Sequence, residues 1–213
     1  MEEILDEIKS VNNYTVKEVF TKIWTEPRKV FEFIHATYFE KYMILLMILG
    51  GISNTLDRAT SKGLFNKGDQ WLWLFFVIII GALFGWIGFY FYGALVSLTG
   101  KWIKGKAGTN EIVRVSVYGS IPSTLGILTF FLQFIVFRSG IFPISNPIVY
   151  YFLIYFFLLI DLVLGIWTIV LSVVGISVVQ EFSIGKAILN MILPIFLILV
   201  IILPIVFLIS LVV

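Results

Sequence analysis

The 213-residue chain is 60% hydrophobic and 13% charged, with a formal net charge of +2 and no cysteine. Soluble domains run at roughly 45–50% apolar and about 25% charged residues, so this composition cannot clothe a water-exposed surface. The small net charge offers no basic excess for nucleic acid, and the absence of cysteine excludes disulfides, thiolate metal sites and a cysteine nucleophile.

The composition therefore implies an all-α fold, a polytopic membrane helix bundle of five transmembrane helices preceded by an amphipathic interfacial helix. Residues 1–41 read as a cytoplasmic tail carrying that helix and residues 42–213 as the membrane domain, with spans near 40–56, 71–98, 112–137, 148–179 and 187–213. The first residues, Met1-Glu2-Glu3-Ile4-Leu5-Asp6-Glu7, lack the basic start and apolar core of a signal peptide, so insertion is expected to rest on the internal spans.

Residues 1–14 are mixed in charge and read as a tail or short helix that breaks at Asn12 and Asn13. From Val16, apolar residues fall at Val19, Phe20, Ile23 and Trp24, the spacing of one helical face, with Lys17, Glu18 and Lys22 elsewhere. Thr25-Glu26-Pro27 resets the helix, because proline suits a first turn and disfavours helix in the residue before it. Arg28 and Lys29 then stand against Val30, Phe31, Phe33 and Ile34. Two placements suit this pattern, a helix lying on the bilayer surface or one packed on the bundle's own cytoplasmic side.

Tyr42 to Leu56 gives only about 22 Å of helix against an apolar core of about 30 Å, so a first span must borrow Tyr38 and Phe39, let Lys41 snorkel, or re-enter without crossing. Residues 57–70 read as a polar loop. The stretch from Trp71 to Leu98 opens with an interfacial pair, Trp71 and Trp73, and carries Gly81 and Gly85 on one face, where a second helix backbone has room to approach. The third span, from Ile112 to Phe137, is interrupted by Gly119 and Pro122, and residues 138–147 read as a turn. Ile148 to Val179 overshoots one bilayer thickness. Gln180 to Lys186 makes a polar turn, and the last span contains Pro194 and Pro204 as expected kinks.

Eleven of the fifteen Lys and Arg residues fall in the tail, the loop around 101–114 and the turn at Lys186, and four fall in residues 57–70 and at Arg138. By the positive-inside rule this puts the amino terminus in the cytoplasm and the carboxyl terminus outside or in a lumen.

The polar break around residues 98–122 tempts a nucleotide reading, since Gly100, Gly105 and Lys106 fit G-x-x-x-x-G-K. Ala107 stands where a Ser or Thr should ligate Mg²⁺, and the preceding segment has the length of a membrane helix rather than a strand. The segment reads instead as a juxtamembrane hinge. Lys101, Lys104 and Lys106 face headgroups at about 1 kcal/mol each, while Tyr118, Gly119 and Pro122 bend the third helix. With Phe20, Trp24, Pro27, Arg28 and Lys29 these lysines form the expected membrane-interface set. Gly81, Gly85, Gly100, Gly105, Tyr118, Gly119 and Pro122 form the hinge and packing set.

No catalytic, metal-binding or cofactor-binding residue is expected. His35 is the single histidine, G-x-S-x-G is absent, and the acids are scattered. Asn13-Tyr14-Thr15 is a formal glycosylation site that the cytoplasmic assignment makes a chance match. Asp161 lies inside the fourth apolar stretch, where a carboxylate serves either as a proton or cation site or as a structural hydrogen-bonding group. The first use, with Pro122, Pro194 and Pro204, describes a small transporter or channel with broken helices, the alternative to a non-enzymatic membrane role.

Trp24-Thr25-Glu26-Pro27-Arg28-Lys29-Val30-Phe31, the glycine-bearing second span, Leu98-Thr99-Gly100-Lys101 with Gly105, Tyr118-Gly119-Ser120-Ile121-Pro122, Trp167 and the turn from Gln180 to Lys186 together resemble the Yip-one domain family over roughly residues 20–210. The resemblance implies five spans, a cytoplasmic amino terminus and a non-enzymatic adaptor or membrane-organising role. Its eukaryotic members bind Rab-type small GTPases in vesicle traffic, often as oligomers. The tail of about 40 residues is similar to the prokaryotic branch, so a prokaryotic cell membrane is the expected location. The expected partners are the lipid bilayer, other membrane proteins or a second copy of the chain, and a small GTPase by resemblance.

Overall fold

A computed structural model describes residues 14–137 and 146–210. The expected tail at 1–13, the turn at 138–145 with Arg138, and residues 211–213 lie outside the described residues. The fold is 84% helix, with no strand among the described residues. The elements are α1 (Val16–Lys22), α2 (Pro27–Ala36), α3 (Met43–Ser61), a 3₁₀ turn (Leu64–Asn66), α4 (Gln70–Trp102), α5 (Thr109–Gly119), α6 (Ile121–Phe137), α7 (Pro147–Val179) and α8 (Ile184–Ser210).

Local chemistry explains the boundaries. At α1, Thr15 and Glu18 form a reciprocal capping box: the Thr15 hydroxyl accepts from Glu18 N–H, and the Glu18 carboxylate accepts from Thr15 N–H at 2.8 Å. Pro27 opens α2 at a first-turn position, as expected. Between α5 and α6 the axis bends by 42°. Pro122 has no N–H to offer the carbonyl of Tyr118 in the preceding turn, and hydroxyls bond the backbone beside the bend: Ser120 Oγ donates to Val117 O at 2.7 Å and Ser123 Oγ to Ser120 O at 2.8 Å.

Among the described residues, three helices are long and apolar enough to cross a membrane: Gln70–Trp102, Pro147–Val179 and Ile184–Pro204. A fourth joins them if the bent α5–α6 pair is one span. α3 does not meet that standard, because its last turns carry Asn54, Asp57 and Arg58. Two helices, α3 and α4, have ends that differ from the sequence reading. α3 starts at Met43, after Tyr42 in a left-handed conformation, and runs on to Ser61 through residues read as loop. Leu56 and Ala59 are buried, so packing carries the helix past Asp57 and Arg58. α4 runs four residues beyond Leu98, to Trp102, and α8 passes through both Pro194 and Pro204.

The chain divides into two compact units. One is drawn from residues 40–89 and 116–172. Its core gathers Leu56, Ala59, Phe65, Leu74, Val77 and Phe134, with Phe130 and Phe131 packed against it. Gly81 and Gly85 of α4 meet the backbone of α3 at Gly51: a Cβ on Gly81 would stand 2.7 Å from Ile52 Cα and 2.8 Å from Gly51 O. The glycine face expected of α4 is therefore a backbone-to-backbone seam. Tyr118 is fully buried and donates to Lys41 O at 2.7 Å, and a Cβ on Gly119 would touch Ser172 N at 3.4 Å.

The other unit is drawn from residues up to 39, 90–115 and from 173 onward. α2 turns its apolar face inward: Val30, Phe31, Phe33 and Ile34 are buried, and Gly175 leaves room for the Phe31 ring, whose Cζ would lie 3.3 Å from a Cβ there. Of the two placements open for this helix, its burial describes the packed one.

Candidate functional site

The second unit contains three helix ends built alike. After α2, Phe39 N–H donates to Ile34 O and Tyr38 N–H to His35 O; after α4, Gly105 N–H donates to Gly100 O and Lys104 N–H to Lys101 O; after α7, Phe182 N–H donates to Ser177 O and Glu181 N–H to Val178 O. Each pair is a Schellman cap, which needs a left-handed residue and normally has glycine there. Here the residues are Tyr38 (φ 52°), Lys104 (φ 70°) and Glu181 (φ 54°). Left-handed backbone costs a non-glycine residue about 1–2 kcal/mol, so each cap retains a large side chain at a conformational cost. Such outliers concentrate at functional sites.

Side chains at and beside two of these caps meet residues of the loop and of α5. Lys106 Nζ meets Glu181 Oε2 at 2.6 Å, with both side chains more than half exposed. The Arg114 guanidinium lies 5.2 Å from the centre of the Tyr38 ring, and His35 Nδ1 lies 3.6 Å from Glu111 Oε1. On α2, Arg28 Nε donates to Glu32 Oε1 at 3.1 Å and Lys29 Nζ to Glu26 Oε2 at 2.8 Å. The Lys29 hydrogen bond holds the Glu26 carboxyl below its usual range and raises the Lys29 ammonium in return.

Beneath the lysine loop lies a buried polar clasp. Gln180, 1% exposed, accepts from Ala107 N–H through Oε1 at 2.9 Å. Gly100 and Gly105 exist to admit its side chain. A Cβ on Gly105 would stand 2.8 Å from both Gln180 Cδ and Phe182 Cζ, and one on Gly100 3.1 Å from Gln180 Cδ and from Asn190 Nδ2. Ser97 Oγ donates to Ala107 O at 3.0 Å, and the buried Thr99 hydroxyl lies 3.2 Å from Asn190 Oδ1. Residues 103–108 are thus tied down from within, while Lys101, Trp102, Lys104 and Lys106 are exposed.

The residues singled out from the sequence divide between the two units. Phe20, Trp24, Pro27, Arg28, Lys29, Gly100, Gly105, Lys101, Lys104 and Lys106 belong to the unit just described; Gly81, Gly85, Tyr118, Gly119, Pro122 and Asp161 belong to the other. Phe20 and Trp24 are half-buried, while Arg28 and Lys29 are exposed. Asp161 is held at both oxygens, accepting from Thr129 Oγ1 at 2.6 Å and from Gln133 Nε2 at 2.9 Å. The same carboxylate lines a cleft of about 270 Å³ with Thr60, Gln133 and Tyr150. Sequence reasoning saw Gln180 only as a turn residue and passed over Asn190 and Trp102. The available signal was Gly100 and Gly105 five residues apart, which asks for something pressed close between them.

No curated protein sequence and no solved structure matches the chain. The sequence pattern that defines the Yip1 domain does match, over residues 18–205, which takes in both units, the lysine loop and its clasp. Matched over that length, this apolar, helical membrane protein belongs to the Yip1 domain family.

Proposed function

We propose that the chain is a non-enzymatic adaptor of five spans, with its amino terminus in the cytoplasm, and that the lysine loop is its working surface. α3 is the first span, short and completed by snorkelling of Lys41 and Arg58, and α5–α6 is one bent span. One observation carries the reading: Gln180 fixes Ala107 from inside, so Lys101, Trp102 and Lys104 are displayed on a rigid support. A preordered surface binds without the entropic cost of immobilising a free loop.

Two lysines with one tryptophan suit an acidic protein face set close to headgroups. Family members interact with Rab-type GTPases and with membranes, which makes an acidic, membrane-bound protein the partner class to expect. α2 contributes the charged edge of the same unit through Arg28 and Lys29, while its apolar residues hold the unit together.

A photo-crosslinking residue at Trp102 or Lys104, in native membranes, tests this. Adducts with a membrane-associated protein are expected at both positions and should disappear when Gln180→Ala is added. Crosslinks to lipid alone, or protein adducts indifferent to Gln180→Ala, contradict the adaptor reading.

A further inference from the structure

Within the loop-bearing unit, α2 and the turn that follows α7 enclose a cleft of about 550 Å³, inside the size range of small-ligand sites. Its charged wall comes from Arg28, Glu32, His35 and Glu181, its hydroxyls from Ser183 and from Ser177, which is already bonded to Phe182 O, and part of its apolar floor from Phe182. The charges alternate. Arg28 is paired with Glu32 on the helix, and Glu181 is paired with Lys106 of the loop. A cleft with two carboxylates, a guanidinium and an imidazole has no net attraction for a simple anion. It matches a ligand that carries both signs a few ångströms apart.

We infer that the cleft receives a phosphoethanolamine headgroup, a phosphodiester next to a primary ammonium. The phosphodiester sits towards Arg28, His35 and Ser183, and the ammonium towards Glu32 or Glu181. Arg28 is suited to the phosphate because its fork still has donors beyond the Nε used on Glu32. The carboxylates discriminate by demanding three N–H donors, which ethanolamine supplies and choline or glycerol does not. Two features favour a bilayer lipid over a soluble phosphoethanolamine: the floor is partly apolar, and the chain is a membrane protein, so lipid headgroups are at hand. The strained backbone at Glu181 fits this use, since a glycine there would relax the cap and remove a carboxylate from the wall.

The inference rests on the membrane reading of the chain but not on a protein partner, and the test separates them. The full-length protein is re-equilibrated with equal amounts of phosphatidylethanolamine, phosphatidylglycerol and phosphatidylcholine, and the retained lipid is read by native mass spectrometry. Retention of phosphatidylethanolamine by about two- to fivefold over the others is expected, the scale of one or two exposed charge contacts. Glu32→Gln and Ser183→Ala should each reduce that preference. Both sites are outside the helix-packing core, so folding survives, and an unchanged thermal unfolding profile verifies it. Equal retention, a preference for phosphatidylglycerol, or a preference that ignores both variants overturns the assignment. Displacement of the lipid by soluble phosphoethanolamine at equal concentration assigns the cleft to a soluble ligand and overturns the lipid. If the crosslinks at Trp102 persist while lipid preference is absent, only the headgroup assignment fails.

Discussion

Gln180→Ala is the sharpest perturbation of the lysine loop. It removes the acceptor for Ala107 N–H, a group buried at 2% exposure outside any helix, and leaves that donor without a partner. An orphaned buried donor costs about 1–3 kcal/mol, which corresponds to roughly a 5- to 150-fold increase in local opening. The change is readable as hydrogen exchange of the Ala107 amide in the full-length protein, with neighbouring amides in 103–108 following it. Two companions separate the causes. Gln180→Leu keeps bulk but cannot accept, so it should open the loop nearly as much as alanine does. Lys106→Ala breaks only the pair with Glu181, whose side chains are 69% and 62% exposed, so about 0.2–1 kcal/mol and a few-fold effect are expected. Unchanged exchange at Ala107 in Gln180→Ala, or full protection restored by leucine, would refute the claim that the hydrogen bond fixes the loop.

Two further substitutions test the packing argument. Gly81→Ala places a carbon 2.7 Å from Ile52 Cα, where about 3.5–4.0 Å is needed, so α3 and α4 must part at a cost of about 1–3 kcal/mol in thermal unfolding. Gly88→Ala, on the same helix with nothing within 4 Å, should be neutral or stabilise by up to about 1 kcal/mol; equal losses at both positions would remove the seam from the account. Lys104→Gly should relax a left-handed residue and raise stability by about 1 kcal/mol while weakening crosslinking at Trp102, and a loss of stability would show that the backbone there is not strained.

The elements that sequence exposed most clearly were those governed by local rules. Pro27 opening α2, the break around Gly119 and Pro122, and the glycine face of α4 follow from backbone chemistry that any segment carries with it. The ends of α3 and α4 were hidden because distant residues decide them. Leu56 and Ala59 extend α3 through two charged residues by packing, and Gly100 looks like a helix breaker until Gln180 is seen against it, 80 residues away in the chain. The candidate site was half legible for the same reason. The lysines and glycines announced a loop of special construction, but its clasp, its caps with Tyr38 and Glu181, and the cleft beside α2 depend on contacts that no spacing rule encodes. For α2, periodicity showed an apolar face, and only the fold shows that this face is covered by protein.

The central claim is that residues 103–108 form a fixed surface on the cytoplasmic side of a five-span chain. The absence of native cysteine makes it directly measurable, because Lys104→Cys and Lys67→Cys each introduce a single thiol. With a membrane-impermeant maleimide, the account predicts labelling of the position-67 thiol in intact cells and of the position-104 thiol only after permeabilisation. Labelling of position 104 from outside, or of both positions from one side, would contradict it.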